Sequence, residues 1–296
     1  MRIARFDGGK IGVVDGDSIV DVTAVCGIDP AEWPAVGPLR LIRDFAALRP
    51  AIEAALPTAP RHALADVRLE TPVPWPNKVI AYPVNYHAHG REMQANYRAT
   101  NQGFFLKPSS AVSGPNDPVE LPSVPGREVH HESELGIVIG KEVRGLKRED
   151  WREAVFGYAC LLDMVVRGRE ERVFRKAYDT FCPVGPWIVT ADEVPDPANL
   201  DMKLWVGDEL RQSANTRDLV LDIPGMIETA SAVMTLYPGD IIATGTPEGV
   251  GPVVDGDVIR IVIDQVGEMN VPVVQGNRGM TEVFAQPYVP PIIKQN

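Results

Sequence analysis

Two carboxylates, Glu132 and Glu134, stand one residue apart at the head of an apolar run in the stretch HHESELGIVIG, residues 130–140. In an extended strand alternate side chains share a face, so this spacing points the two acids the same way, with Leu135, Ile137 and Ile139 on the opposite face. Like charges so close repel and push one group towards protonation unless something neutralises them; a solvated strand face is the plainer alternative. A third acid bears on the choice. Asp163 lies inside YACLLDMVV, an apolar setting where an isolated charge is costly. Three converging carboxylates would form an all-oxygen site suited to Mg²⁺ or Mn²⁺, with Ca²⁺ also admissible, rather than to zinc or copper. Magnesium keeps several waters, leaving positions that a bidentate 2-oxo acid could take.

The stretch NYHAHGRE (85–92) holds two of the five histidines. His89 and Glu92 are three apart, so a helical turn would bring them to one face within hydrogen-bonding reach. A carboxylate beside an imidazole raises its basicity and fixes its tautomer, which prepares a general base; an exposed polar loop without a role is the competing reading. His87 falls off that face. His130 shares the face of the glutamates and His131 does not, and for both a packing or supporting role fits better than ligation. Further on, ATGTPEGVG (243–251) has glycines that let backbone approach a ligand and hydroxyls, on Thr244 and Thr246, that can donate to a carboxylate. It lacks the G-K-[ST] ending of a phosphate loop. Lys107 in FFLKPSS and Lys176 in FRKAYDTFCPVGPW adjoin aromatic runs, where a partly desolvated cation favours an anionic partner. Arg167 follows Asp163 by four residues, near enough to line the same site.

The elements that must position these groups are mostly strands. Residues 2–23 predict a β-meander turning at Asp15-Gly16-Asp17. Residues 37–56 carry helical spacing, which Pro50 is expected to kink or split. TPVPWPNK (71–78), with three prolines in eight residues, cannot continue a helix and places a boundary near residue 70. The expected organisation is therefore a small N-terminal unit, 1–70, and a large one, 71–296. Beyond the boundary, GIVIG, PWIVT, LWVG and VIRIVI are separated by Gly, Pro and Asp clusters, as strands of packed sheets are. Helices are expected at 147–158, where Asp150 and Glu153 fit a capping box, and at 224–236. The class is mostly β with α, an α+β protein.

The 296 residues are ample for a large core, and 45% hydrophobic with 23% charged residues is an ordinary globular balance. A formal net charge of −11 argues against a nucleic-acid partner, although a bound cation or a local arginine can invert the sign inside a pocket. Three scattered cysteines, Cys26, Cys160 and Cys182, give neither a disulfide framework nor a zinc cluster and suit a reducing interior. No stretch approaches the roughly 18 apolar residues of a membrane span. The expectation is a soluble cytoplasmic protein with no membrane or nucleic-acid partner.

Taken in order, NYHAHGRE, FFLKPSS, the E-x-E of HHESELGIVIG, Asp163, KAYDTFCPVGPW, DELRQSANT and LYPGDIIATGTPEGVG resemble the fumarylacetoacetate hydrolase family over roughly residues 78–275. The resemblance implies a mixed β-roll core with a small N-terminal β/α domain, a homodimer, and Mg²⁺ or Mn²⁺ held by Glu132, Glu134 and Asp163. It places the catalytic pair, on a lid over the substrate, at His89 and Glu92, and the active-site lysine at Lys176. Arg167 and Thr246 would meet the substrate, with Lys107 and Glu170 as further substrate-side candidates. Glu170 departs from the family pattern, standing in Arg167-Gly168-Arg169-Glu170 where many members have an amide. So do Ala81-Tyr82-Pro83-Val84, entering the lid, and Val206-Gly207-Asp208-Glu209. The implied activity is metal-dependent hydrolysis of a C–C bond in a β-diketo acid of the acylpyruvate or fumarylpyruvate type, in aromatic or sugar-acid catabolism. In it the 2-oxo acid end meets the metal and an enolate leaves. Decarboxylation of a 2-oxo diacid and isomerisation of a 2-hydroxy-diene acid are the alternatives on the same site, and a non-catalytic ligand-binding protein is a more distant one.

Overall fold

The computed structural model describes residues 1–278; residues 279–296 of the expected 71–296 unit lie outside it. A 12-stranded mixed sheet forms the centre, with a path running Arg61–Ala63, Ser18–Asp21, Lys10–Asp15, Arg2–Phe6, Cys182–Thr190, Val155–Leu162, Ser133–Ile139, Ile241–Ala243, Val79–Ala81 and Phe105–Lys107. The N-terminal meander forms as the alternation predicts, and its first strand pairs antiparallel with Cys182–Thr190, Arg2 opposite Val189. The sheet thus runs continuously across the boundary expected near residue 70. Ile241–Ala243 and Val79–Ala81 are parallel, and the strands around them antiparallel.

The central strands read as unbroken apolar runs because both faces are covered. Along Val155–Leu162, Tyr158, Cys160 and Leu162 enter one buried cluster, and Phe156, Ala159 and Leu161 the other. A five-stranded sheet, including Asp201–Val206, Glu209–Asn215, Val258–Ile263 and Gly267–Gln275, covers the first face, contributing Met202, Leu204, Ile259, Ile261 and Val271. The helix Gly37–Ala55 covers the second, burying Leu41, Ile42, Phe45 and Ile52. The Phe45 ring meets Phe156 edge-on at 5.0 Å. This helix continues through Pro50 as a single element.

One expected helix is absent. Residues 147–158 form a 3-10 segment, Arg148–Ala154, and then the strand Val155–Leu162; Lys147 precedes the first turn without a side-chain cap. The competing signal was the run from Val155 to Leu162, whose backbone groups are taken up by neighbours on both sides. Gly157 marks that close pairing, since a Cβ there would stand 2.2 Å from the Val189 carbonyl oxygen. The helix Ile223–Val233 does form, capped by Asp222, whose carboxylate accepts from the Gly225 N–H.

Candidate active site

The three acids meet at one end of the central sheet because of its register. Ser133 pairs with Leu162, so Asp163 follows directly across from Glu132 and donates its N–H to the Glu132 carbonyl at 2.9 Å. Glu134 shares the strand. Carboxylate oxygens from Glu132, Glu134 and Asp163 lie within 4.8 Å of one another, and all three residues are buried. Two lysines lean against them. Lys176 donates to Glu132 at 2.6 Å and also to Asp163; Lys107 donates to the other Asp163 oxygen and, at 3.0 Å, to the Phe181 carbonyl.

Electrostatics separates the members of this group. Burial alone would raise the Glu132 carboxyl, but the charges of Lys176, Arg167 and His89 outweigh it and hold that carboxyl below the usual range. Glu134 goes the other way: burial, then repulsion from Asp163, pushes it well above the usual range, against Lys176 and a 2.7 Å hydrogen bond from the Gly245 N–H. Burial would lower the Lys176 ammonium, and Asp163, Glu132 and Glu134 together raise it instead. Two lysines therefore leave the acids short of positive charge at Glu134. A hard divalent cation among three carboxylate oxygens supplies what is missing, and the donor set fits Mg²⁺ or Mn²⁺.

The other groups surround a cavity of about 270 Å³ lined by His89, Phe105, Glu132, Glu134, Asp163, Arg167, Lys176 and Thr246 among others. His89 and Glu92 lie on the short helix His87–Glu92, with His89 Nδ1 2.9 Å from Glu92 Oε2. Burial works against ionising Glu92, but hydrogen bonds from His89 and from the Gly249 N–H lower its carboxyl. The chain enters this helix through Val84, held at φ +51, where a β-branched residue is strained. The turn is pinned by Asn85, whose amide donates to the Leu221 and Thr244 carbonyls while its oxygen accepts from the Leu221 N–H.

These observations converge with one comparison: the family model for the fumarylacetoacetate (FAA) hydrolase C-terminal region matches residues 78–274. The chain belongs to the fumarylacetoacetate hydrolase family. It is 45% identical over 283 residues to a maleylpyruvate hydrolase of Aquipseudomonas alcaligenes, covering 92% of this chain and 98% of that one. It is 35% identical over 302 residues to a mitochondrial oxaloacetate tautomerase of Xenopus laevis, covering 93% and 90%. Among solved structures, maleylpyruvate hydrolase from Sphingobium sp. SYK-6, in complex with manganese(II) and pyruvate, superposes with a TM-score of 0.87 at 75% identity, covering 94% of this chain and 100% of that one.

Three sequence candidates of this family member lie apart from the cavity wall. Glu92 meets it only through His89. Glu170 turns to Arg127, 2.9 Å away, instead of lining the cavity. Lys107 is fully buried behind Asp163, so its ammonium serves the acids and is not presented to a substrate. His130 sits beside the site and accepts from Arg167 Nε at 3.0 Å, which orients that guanidinium. Among the groups that spacing did not single out is Gln212. Its amide oxygen accepts from the Ser133 N–H at 3.0 Å and lies 3.2 Å from His131 Nδ1; its nitrogen donates to Thr246 Oγ1 at 2.8 Å and to the Pro247 carbonyl at 2.9 Å. Arg172, Arg175 and Tyr97, which also line the cavity, were equally unmarked. A buried glutamine in a polar strand ending (DELRQSANT) and two arginines beside Lys176 carry no spacing signal that separates them from surface residues.

Proposed function

We propose that this enzyme hydrolyses the C–C bond between the two carbonyls of an acylpyruvate of the maleylpyruvate type, giving pyruvate and a dicarboxylic acid. The observation that carries the reading is the juxtaposition, in one cavity, of a buried three-carboxylate cluster with His89, a histidine held from behind by Glu92. The maleylpyruvate hydrolases among its relatives support the choice of substrate.

Glu132, Glu134 and Asp163 would hold Mg²⁺ or Mn²⁺, which when bound supplies a Lewis acid for the 2-oxo acid end of the substrate. Glu92, ionised and fixed by the Gly249 N–H, takes the Nδ1 proton side of His89 and leaves Nε2 as the base for water. Water attacks the distal carbonyl, and its proton passes to His89. The bond to the methylene carbon then breaks, and the departing enolate takes up a proton to become pyruvate. Lys176 reaches into the cavity beside the acids and stabilises negative charge on the attacked carbonyl oxygen. Thr246 accepts from Gln212, so its own hydrogen is free to donate to the substrate's 2-oxo carboxylate. Arg167, held by His130, adds a positive charge on the same side. We also assign a homodimer, the state that the family resemblance implies, and a cytoplasmic location, which the three scattered cysteines suit. Light scattering behind a sizing column tests the dimer.

The activity test is product analysis. Purified protein with Mn²⁺ and maleylpyruvate should yield pyruvate and maleate in equal amounts by NMR. Carbon dioxide from oxaloacetate, or an isomerised diene acid, with no cleavage of any acylpyruvate would replace this reading with decarboxylation or isomerisation.

A further inference from the structure

Three arginines, Arg167, Arg172 and Arg175, line the cavity together with Lys176. Lys176 is taken up by Glu132 and Asp163, yet the three arginines alone are more positive charge than one 2-oxo carboxylate needs. Two of the three are committed. Arg167 donates to His130 and stands 4.0 Å from Glu132. Arg175, from the helix Arg172–Lys176, donates Nε to the Glu170 carbonyl at 2.8 Å and Nη1 to the Val166 carbonyl at 3.1 Å. Arg172 differs. Its Nη2 donates to the Tyr97 hydroxyl at 3.0 Å, and its guanidinium lies 5.2 Å from the centre of the Phe105 ring. Among the described residues it has no carboxylate within ion-pair distance and donates to no backbone carbonyl.

Half-buried arginines crowded together repel one another. Burial first, with Arg167 and Arg172 adding to it, pulls the Arg175 guanidinium below its usual range against the attraction of Glu132 and Glu170. Such an arrangement is stable in use when an anionic ligand fills it. The placement suits an elongated substrate. Lys176 Nζ lies 5.4 Å from the centre of the same Phe105 ring, so Lys176 and Arg172 are within twice that distance of each other. A substrate whose attacked carbonyl meets Lys176 can therefore set a group a few carbons further along against Arg172.

We infer that Arg172, steadied by Tyr97 and Phe105 and backed by Arg175, receives a second carboxylate at the far end of the acyl arm and selects dicarboxylic over monocarboxylic acylpyruvates. This deepens the hydrolase reading above and rests on it for the direction in which the substrate lies. The planar guanidinium can take a carboxylate through two parallel hydrogen bonds, which an ammonium cannot reproduce.

The test compares two ligands of equal length, 2-oxoheptanedioate and 2-oxoheptanoate, by titration calorimetry on the Mn²⁺-loaded protein. The wild type should bind the diacid about 10- to 100-fold more tightly, the worth of a charge-assisted hydrogen bond. Arg172→Met should bring the two ligands within about threefold of each other, while the monoacid affinity stays at its wild-type value and so reports an intact site. Arg172→Lys should recover only part of the preference. Tyr97→Phe, which keeps the charge but loses the tether, should reduce it by a smaller factor and carries the test if Arg172→Met does not fold. The kcat/KM ratio of maleylpyruvate to acetylpyruvate should fall in Arg172→Met by the same factor as the binding ratio. No diacid preference in the wild type, or a preference that survives in Arg172→Met, overturns the assignment. If neither acylpyruvate is cleaved but the binding preference and its loss are observed, the carboxylate subsite stands and the hydrolase reading falls.

Discussion

Replacing Gln212 by Met tests whether a buried amide sets the direction of the Thr246 hydroxyl. Methionine nearly matches glutamine in length and keeps the packing of a side chain that is 1% exposed, but it offers neither the donor nor the acceptor. Four contacts go at once: the Ser133 N–H, His131 Nδ1, the Pro247 carbonyl and Thr246 Oγ1. At about 1 kcal/mol for each neutral hydrogen bond, with some relief from relaxation, the cost to folding is about 2–4 kcal/mol. For a chain of this size that lowers the melting temperature by roughly 3–6 °C. The functional cost is separate. Thr246→Val removes a donor to a carboxylate, worth about 1.5–3 kcal/mol, and raises KM about 10- to 150-fold. Gln212→Met leaves the hydroxyl in place but unaimed, and about 1 kcal/mol of lost orientation raises KM roughly fivefold. Because Gln212 acts on the substrate only through Thr246, the double variant should have the KM of Thr246→Val alone. Steady-state kinetics on the four proteins, with calorimetry to follow stability, measures that cycle. Additive effects on KM would refute the reasoning, since they would show that Gln212 reaches the substrate by another route.

Three further outcomes follow from the same geometry. Glu134→Ala should fold and lose Mn²⁺ binding in titration calorimetry, because it removes one of three ligands from a site that lacks positive charge; full-affinity binding would move the metal elsewhere. Lys107→Met should lower the melting temperature of the metal-free protein, since breaking a buried pair costs about 3–5 kcal/mol. Mn²⁺ should then stabilise the variant more than the wild type, the added cation replacing the lost one at Asp163; an unchanged metal-free melting temperature would contradict this. His89→Ala should cut kcat at least a hundredfold, in line with the usual worth of a general base, while oxalate still binds the Mn²⁺-loaded protein. Undiminished turnover would place the base elsewhere.

What the sequence revealed and what it hid follow from the range of the signals. The strands around 133–139 and 258–263 were legible because their own side chains, β-branched and apolar, carry the pattern. The Glu132–Glu134 pair and the His89–Glu92 pair were legible for the same reason, each being a contact of two or three residues' separation. Residues 147–158 misled because a charged, helix-like start, KREDWREA, precedes a strand whose pairing partners lie elsewhere in the chain. Gln212 was unreadable in principle: it joins Ser133 and Thr246, neither near it in sequence, and only the packing of one sheet against another reveals it. Glu170 is the opposite case. Its position in the family pattern suggested a substrate contact, and the nearby Arg127 draws it away.

Charge shows how a global property and a local one can point in opposite directions. A net charge of −11 describes a surface that repels anions at long range, yet the cavity of this enzyme is lined by Arg167, Arg172, Arg175 and Lys176. The three buried acids do not restore the global sign there, because two lysines already lean on them and a divalent cation would complete their neutralisation. Screening confines the surface potential to about 8–10 Å at physiological ionic strength, whereas groups inside the cavity interact with far less attenuation. A small dianion is therefore disfavoured on approach and favoured once inside. This arrangement lets specificity depend on the arginines at the wall and not on the overall charge of the protein.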